Sequence, residues 1–496
     1  MRGLLLALLL FMGGGILLGV YFSVPPEMLL IGLAGLALLS YFIVRFPEWF
    51  LVAALFAPQW KTFWILGSLD KTVDLTIVVL VCLVGGLIWR VLMPAAQLNS
   101  LNFRTLFFGQ LAPLIAFLAF AAIVAVSYSY TTAPDYGASK LFRFLMIGTL
   151  LLVAPLFLIL NENNFRRFAL IFVGFSAATA TQLIYALEFQ KHDDSIDVTR
   201  IGAGWLIGMS ILLVLFYPLL RSKRGNYALY LVLLPLCIAG LVASVARGPM
   251  VALSIAVLIG LAAWLRQGRL RGSTALALLF VFAVGFGGAY FVLRQADLGK
   301  YTAKAGEFKT LLTEGGSSGS AGKRLNFYRA TLPAIMDHPV FGAGVGSWSV
   351  FYYGIDSRNY PHNLLLEIAF EEGLVGVAVF ALLLVLVGAS TFWMLRATRS
   401  HFLALGLLVL YCVIVSMFSG DLDDNRLLWI WVGITLAICR NVRLGLFTAR
   451  FAHKNTGTYP ASRLSPRLEP AFSLRSEVAR KSDTKRSRAW HEKFVY

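Results

Sequence analysis

The sequence predicts an all-α polytopic membrane protein, with about 12–14 transmembrane helices and one long outer-face loop. Apolar runs of about 18 or more residues recur from end to end, each long enough to span a bilayer. Only 14% of residues are charged and 58% are hydrophobic, whereas soluble domains carry roughly a quarter charged residues. The short alternating segments of a membrane barrel are absent.

The apolar pattern marks fourteen candidate spans, at roughly 3–22, 28–45, 48–66, 74–93, 110–128, 141–160, 168–187, 203–220, 227–245, 249–265, 274–293, 373–395, 402–418 and 427–442. The first run follows a single Arg, and no small-residue cleavage site precedes the next run, so it is expected to be a retained helix. The third run is interrupted by Pro58 and Lys61.

Basic residues order these spans. Alternate connectors carry Arg45; Arg90 and Arg104; Arg166 and Arg167; Arg221, Lys223 and Arg224; Arg266, Arg269 and Arg271; Arg396 and Arg399; and Arg440 and Arg443. The other short connectors, such as "APDYG" and "SGDLDDNR", are poorer in Lys and Arg. By the positive-inside rule the first set is cytoplasmic, and both termini lie inside.

Two segments stand apart from the spans, and residues 1–440 form the expected transmembrane domain. The tail 441–496 holds twelve Lys/Arg against four Asp/Glu, a net of +8, and its composition is that of a disordered segment. The formal net charge of +18 is therefore read as a contact with anionic membrane lipids, with no nucleic-acid partner expected. Residues 294–361 form a long outer-face connector, more often functional than passive at such a length. Its stretch "LLTEGGSSGSAGKRLN" reads as flexible, and the following "NFYRATLPAIMDHPV" has helical apolar spacing. Cys82, Cys237, Cys412 and Cys439 all fall inside apolar runs, without the spacing of a metal site.

Three outer-face positions carry candidate chemistry. Arg247 sits between two apolar runs joined by almost no loop. A guanidinium near a helix centre in lipid costs about 2.5–3.5 kcal/mol, and less near the interface. A lone interfacial Arg ordinarily snorkels to lipid phosphate. Here Gly248 and Pro249 let the chain turn and start a helix at once, which gives the guanidinium the setting of a phosphate site. Arg200 precedes the small-residue helix start "IGAGWLIGMS", and Asp193, Asp194 and Asp197 offer it simple surface ion pairs. His362 follows Pro361 and precedes Asn363, which can orient it or cap the next helix. Its side chain is suited to proton transfer near neutral pH. Glu367, Glu371 and Glu372 follow, and structural roles are expected for them, with Glu371 or Glu372 facing an Arg of the bundle. Gly373 and Gly376 permit tight packing there. The acidic "GDLDD" at 420–424 is the one candidate metal site, and beside Arg426 it reads as a solvated turn.

Taken in order, "RIGAG", "ARGPMVAL", "HPVFGAGVGSWSVFY" and "PHNLLLEIAFEEGLVG" resemble the O-antigen ligase and polymerase superfamily of bacterial envelope enzymes, over roughly residues 195–395. The family's turn usually reads Ser-Arg-Gly, and Ala246 takes the Ser place here. The resemblance implies a glycosyltransferase of the inner membrane with its site facing the periplasm. Its donor would be a glycan on a polyprenyl pyrophosphate carrier, and its acceptor a sugar hydroxyl of a carbohydrate or glycolipid. It places Arg200, Arg247 and Arg329 on the pyrophosphate, with Arg324 a neighbouring alternative to Arg329. His362 becomes the base, supported by Asn363 and Glu372. No metal and no cofactor are implied, and direct displacement would invert the anomeric carbon. A ligase acting on the lipid A–core of lipopolysaccharide is preferred over a polymerase of repeat units. A transporter or flippase is the more distant alternative, disfavoured because the polar signals cluster on one face rather than at mid-membrane.

Overall fold

The computed structural model of the chain describes residues 41–42, 45–60, 75–92, 107–189, 196–220, 222–268, 319–398 and 401–446. The candidate spans 3–22 and 274–293, most of 28–45, the loop residues 294–318 and the tail beyond 446 lie outside the described residues.

Every regular element among the described residues is helical. The chain runs through α1 (Glu48–Trp60), α2 (Leu75–Leu92), α3 (Leu111–Ser127), α4 (Pro134–Arg143) and α5 (Thr149–Leu158). It continues through α6 (Glu162–Phe189), α7 (Ile196–Phe216), α8 (Lys223–Ala243) and α9 (Arg247–Arg266). After the undescribed stretch come α10 (Gly319–Ala334), α11 (Trp348–Tyr353), α12 (Leu364–Glu371), α13 (Gly373–Ala397), α14 (Leu403–Ser416) and α15 (Arg426–Arg443). A π turn, Phe144–Gly148, joins α4 to α5. Six helices among the described residues are long and apolar enough to cross a membrane, and three shorter apolar ones accompany them. The chain is thus a polytopic helical membrane protein.

Helix α15 forms the centre. Its residues from Leu427 to Val442 are buried. Trp429 lies against Phe117, Phe120 and Phe144, and Trp431 against Phe168 and Phe172. Two aromatic anchors on one helix thereby hold α3, α4–α5 and α6 around it.

The connectors gather at two ends. At one end Tyr130 donates to the Phe341 carbonyl at 2.7 Å, Tyr136 reaches Asp421, and Gly248 packs on Phe418. At the other, His401 lies beside Tyr217 and Glu162. There Arg440 donates to the Leu156 carbonyl at 2.5 Å and Asn441 to that of Ile159 at 2.8 Å. These contacts satisfy the orphan carbonyls at the C-terminus of α5. Arg166, Arg266, Arg396 and Arg443 fall at this second end, by the order of the helices.

The expected flexible stretch is partly helical. Helix α10 begins at Gly319, inside the Gly/Ser-rich segment. Tertiary packing supplies what propensity lacks: Phe327 of α10 meets Trp348 and Tyr352 of α11 with ring centroids 5.1 and 4.9 Å apart.

Between α12 and α13 the chain breaks at Glu372 and Gly373. The segment "HPVFGAG" seals the break. Ala343 and Gly344 donate to the carbonyls of Phe370 and Glu371 at 2.8 and 2.9 Å, and Leu374 and Val375 donate to those of Pro339 and Val340 at 2.9 and 3.2 Å. This close approach requires glycine. Gly342 has φ +75° and Gly373 φ +69°, and a Cβ at Gly342 would collide with the Glu371 carbonyl. A left-handed conformation alone costs a non-glycine residue roughly 1–2 kcal/mol. Gly342→Ala should therefore lower the thermal unfolding midpoint in detergent by several degrees. Gly388→Ala in α13, where a Cβ meets nothing within 4 Å, should leave it unchanged or raise it.

Candidate functional site

A cavity of about 580 Å³ opens at the first end. One wall is apolar: Leu55 and Pro58 of α1, Ile201, Trp205 and Leu206 of α7, and Leu427 of α15. The other is polar: Arg324 of α10, Arg358, Tyr360 and His362 of the chain before α12, and Asp424 and Arg426 at the start of α15.

His362 is held by backbone and rings. Asn363 is the N-cap of α12, its side-chain oxygen accepting from the Leu366 N–H at 3.1 Å. His362 stands just before this cap in the left-handed region, with φ +58°. Histidine tolerates that region better than most residues, but such outliers concentrate at functional sites. Its ring meets Tyr360 edge-on at 4.5 Å and lies nearly parallel to Phe327. Among the described residues its buried Nδ1 has no hydrogen-bond partner. Burial first, then the charge of Arg324, hold its pKa down to about 4, against a smaller upward pull from Asp421.

Arg324 of α10 lines the cavity and lies within reach of the Arg247 charge. Burial holds Arg324 below its ordinary pKa, and Arg247 pushes it the same way, so these two cations feel one another. Arg247 is the first residue of α9, after a turn in which Val245 adopts φ +55°. A β-branched residue in that region is a genuine outlier. The turn is held by Ser244, whose hydroxyl accepts from the Ala246 N–H at 3.3 Å and donates to the Leu241 carbonyl at 2.6 Å. A hydroxyl two positions earlier thus braces the turn that has Ala246 in place of serine. Gly204 of α7 packs directly on Ser244 and Ala246. Arg200 lies one turn before that contact, half-buried, and its neighbours Ile201 and Gly202 line the cavity. Arg329 is exposed and is not among the lining residues, whereas Arg324, five positions earlier, is.

The acidic segment is not a solvated turn. Asp421 is fully buried and accepts from the Tyr136 hydroxyl at 2.5 Å. Arg358 pairs with Asp424 at 2.6 Å and lies 3.6 Å from Asp421, and Arg143 pairs with Asp423 at 2.9 Å. Burial alone would raise Asp421, but the hydrogen bond from Asp423, then Lys140 and Arg358, outweigh it and hold the pKa down to about 2. Burial and the Asp421 charge push Asp423 up to about 9. The three carboxylates lie within 4.8 Å of one another. Two guanidiniums and a phenol engage this cluster, while Asp423 Oδ1 is buried with no hydrogen-bond partner among the described residues, and the ion pairs tie α4 and the Arg358 chain to α15.

The glutamates also differ from expectation, since the cation they meet is a lysine. Lys140 of α4, fully buried, pairs with Glu371 at 2.5 Å and with Glu367. Glu367 further accepts from the Leu422 N–H at 3.1 Å. Burial, with Glu371 and Asp421 adding and Lys140 opposing, pushes Glu367 up to about 8. Glu372 is buried as well, and burial followed by Glu371 raises its pKa. Tyr136, Lys140 and Arg358 went unmarked in the sequence, and Asp424 was marked only as part of "GDLDD". Lys140, a lone cation at the edge of an apolar run, was the available signal.

Residues 229–381 match the family model described as O-antigen ligase. The match takes in Arg247, Arg324, Arg329, His362, Asn363 and Glu372, and leaves out Arg200, Lys140 and the acidic segment. The chain has no match among the curated proteins compared.

His362 should remain neutral down to acid pH. The unfolded histidine titrates near 6.5, so the unfolded state binds more protons as pH falls from about 6.5 to about 4, and stability declines through that window. A histidine NMR titration, with the signal assigned by its loss in His362→Gln, should give a midpoint near 4. Arg324→Met should move that midpoint upward, because it removes a charge that opposes protonation.

Proposed function

We propose that this chain, whose segment 229–381 matches the family model described as O-antigen ligase, is a member of the O-antigen ligase and polymerase superfamily and a membrane glycosyltransferase that moves a glycan from a polyprenyl pyrophosphate carrier to a sugar hydroxyl. One observation carries the reading: a single cavity joins an apolar wall to Arg324, beside Arg247, and to His362. A donor with a hydrocarbon chain, two phosphates and a reacting sugar asks for that combination. The apolar wall suits the chain. The guanidiniums offer planar forks to the phosphates.

In the proposed step the acceptor hydroxyl attacks the anomeric carbon and its proton passes to His362. The bond from that carbon to the pyrophosphate oxygen breaks, and the carrier leaves as an anion. Its developing charge is met by Arg324, Arg247 and Arg200, which is electrostatic stabilisation of the leaving group. Displacement from the opposite face inverts the carbon. Fixed guanidiniums meet the charge that a divalent ion would otherwise meet, so chelation with EDTA should leave the rate unchanged. The ion-paired side of the cavity, Asp424 with Arg358, offers donors and acceptors to sugar hydroxyls. A ligase using the lipid A–core is the preferred assignment within the superfamily. A polymerase would use a second carrier-linked repeat.

The experiment offers purified protein the carrier-linked glycan with each acceptor separately. Arg247→Lys should weaken donor binding, since an ammonium keeps the charge and loses the fork. His362→Ala should spare donor binding and slow transfer by roughly 10²–10⁴-fold. Wild-type transfer by His362→Ala together with normal donor binding by Arg247→Lys would overturn the mechanism.

Orientation is part of the same proposal: the cavity faces the periplasm, across the inner membrane from both termini. Reporter fusions at residues 310 and 460 should report opposite sides, the first periplasmic and the second cytoplasmic. Both on one side would refute this topology.

A further inference from the structure

Lys140 takes no part in the proposed chemistry, yet it is the most deeply enclosed cation near the cavity. Its ammonium is buried between Glu367 and Glu371, one helical turn apart on α12. Glu372 is buried as well and feels the Lys140 charge, so two carboxylates pair with one ammonium and a third lies near it. Atoms Glu367 Oε2, Glu371 Oε1 and Glu372 Oε1 are buried without hydrogen-bond partners. As a source of stability this is a poor arrangement. Even a balanced buried ion pair is often matched by apolar residues of similar volume, and an excess of buried carboxylate is worse.

The arrangement does fix geometry. Helix α12 begins at the Asn363 cap immediately after His362, so the position of α12 sets the position of the imidazole. Lys140 is the charged tie from α4 to that helix. One turn earlier on α4, Tyr136 grips Asp421, and Glu367 grips the Leu422 N–H. A closed circuit therefore runs from α4 to α12, from α12 to the 421–422 backbone, and back to α4. The entry to α4 is clamped too: the Asp135 and Tyr136 N–H groups donate to the Asp356 carboxylate at 2.8 and 3.0 Å, two residues before Arg358.

We propose that Lys140 is a positioning residue for His362, holding α12 in register with the Arg358–Asp424 side of the cavity through Glu367 and Glu371. The proposal rests on the transferase assignment of the cavity and adds to it a group outside both the cavity lining and the matched segment.

The test uses the full chain in lipid nanodiscs, with three readouts: donor binding, transfer kinetics, and the rate at which diethyl pyrocarbonate modifies His362, followed by mass spectrometry. Lys140→Met should keep donor binding within about threefold and lower kcat by at least about tenfold. It should change the His362 modification rate several-fold. The charge swap Lys140→Glu with Glu371→Lys should recover a substantial part of both. Should Lys140→Met fail to fold, Glu371→Gln, which keeps shape and removes one ionic link, should show the same changes in smaller measure. Wild-type kcat with an unchanged modification rate in either single variant would overturn the proposal. So would a loss of activity that only tracks the folded fraction. Absence of transfer by the wild-type protein would instead overturn the transferase assignment, and the His362 modification rate would still decide the role of Lys140.

Discussion

Backbone polar groups inside a membrane protein must find partners within the protein, and the break between α12 and α13 is where this constraint is most demanding. A helix interrupted at Glu372 and Gly373 exposes the last carbonyls of α12 and the first N–H groups of α13. The segment from Pro339 to Gly344 meets them with four backbone hydrogen bonds. The same segment continues into Val345, whose carbonyl accepts from Thr131 at 2.7 Å and whose N–H donates to Ser127 at 3.2 Å. The corner between α3 and α4 is thereby joined to the break. That join brings Lys140 against Glu367 and Glu371, and it sets where α12 begins. The glycines of "HPVFGAGVG" are the consequence, since side chains would hold these backbones apart.

Charge is sorted across the cavity in a way that local sequence could not dictate. Arg324 feels the Arg247 charge, while Asp421, Asp423 and Asp424 are gathered with Arg143 and Arg358. Neighbouring guanidiniums repel, and burial worsens the repulsion. The helix starts and tight turns that hold them, at Arg247 and around Ser244, carry strained backbone to do so.

Much of the fold was legible because hydropathy and basic connectors report span length and alternation directly. The described helices from Leu111 to Arg266 and from Gly373 to Arg443 fall on predicted runs, except α4, Pro134–Arg143, which makes most of the expected outer connector at "APDYG" helical. Arg247 and His362 could be marked because the peculiarity lies next to them: Gly248–Pro249 in one case, Pro361 and a capping Asn363 in the other. Lys140 could not be given a role, since its partner Glu371 is 231 residues away. The acidic segment was misread for the same reason. Polarity suggests solvent, and only the arrival of Tyr136, Arg143 and Arg358 from distant parts of the chain makes it a buried network. In α10, Arg324 and Arg329 look equivalent in sequence, and only the packing of Phe327 on Trp348 decides which of the two borders the cavity.

The low pKa of His362 bears on how such a site would avoid wasteful chemistry. Burial and Arg324 keep the imidazole neutral and weakly basic in the free protein. On the proposed reading, a bound pyrophosphate would neutralise Arg324, and its remaining charge would favour the imidazolium. The base therefore strengthens when the donor arrives, toward the near-neutral range where general-base catalysis is most effective. In pH–rate terms, the acid limb for kcat, which belongs to the donor-bound enzyme, lies above the acid limb for kcat/KM, which belongs to the free one. A base carrying its own carboxylate partner would be strong in both states. The unpartnered Nδ1 of His362 leaves the substrate as the group that tunes it.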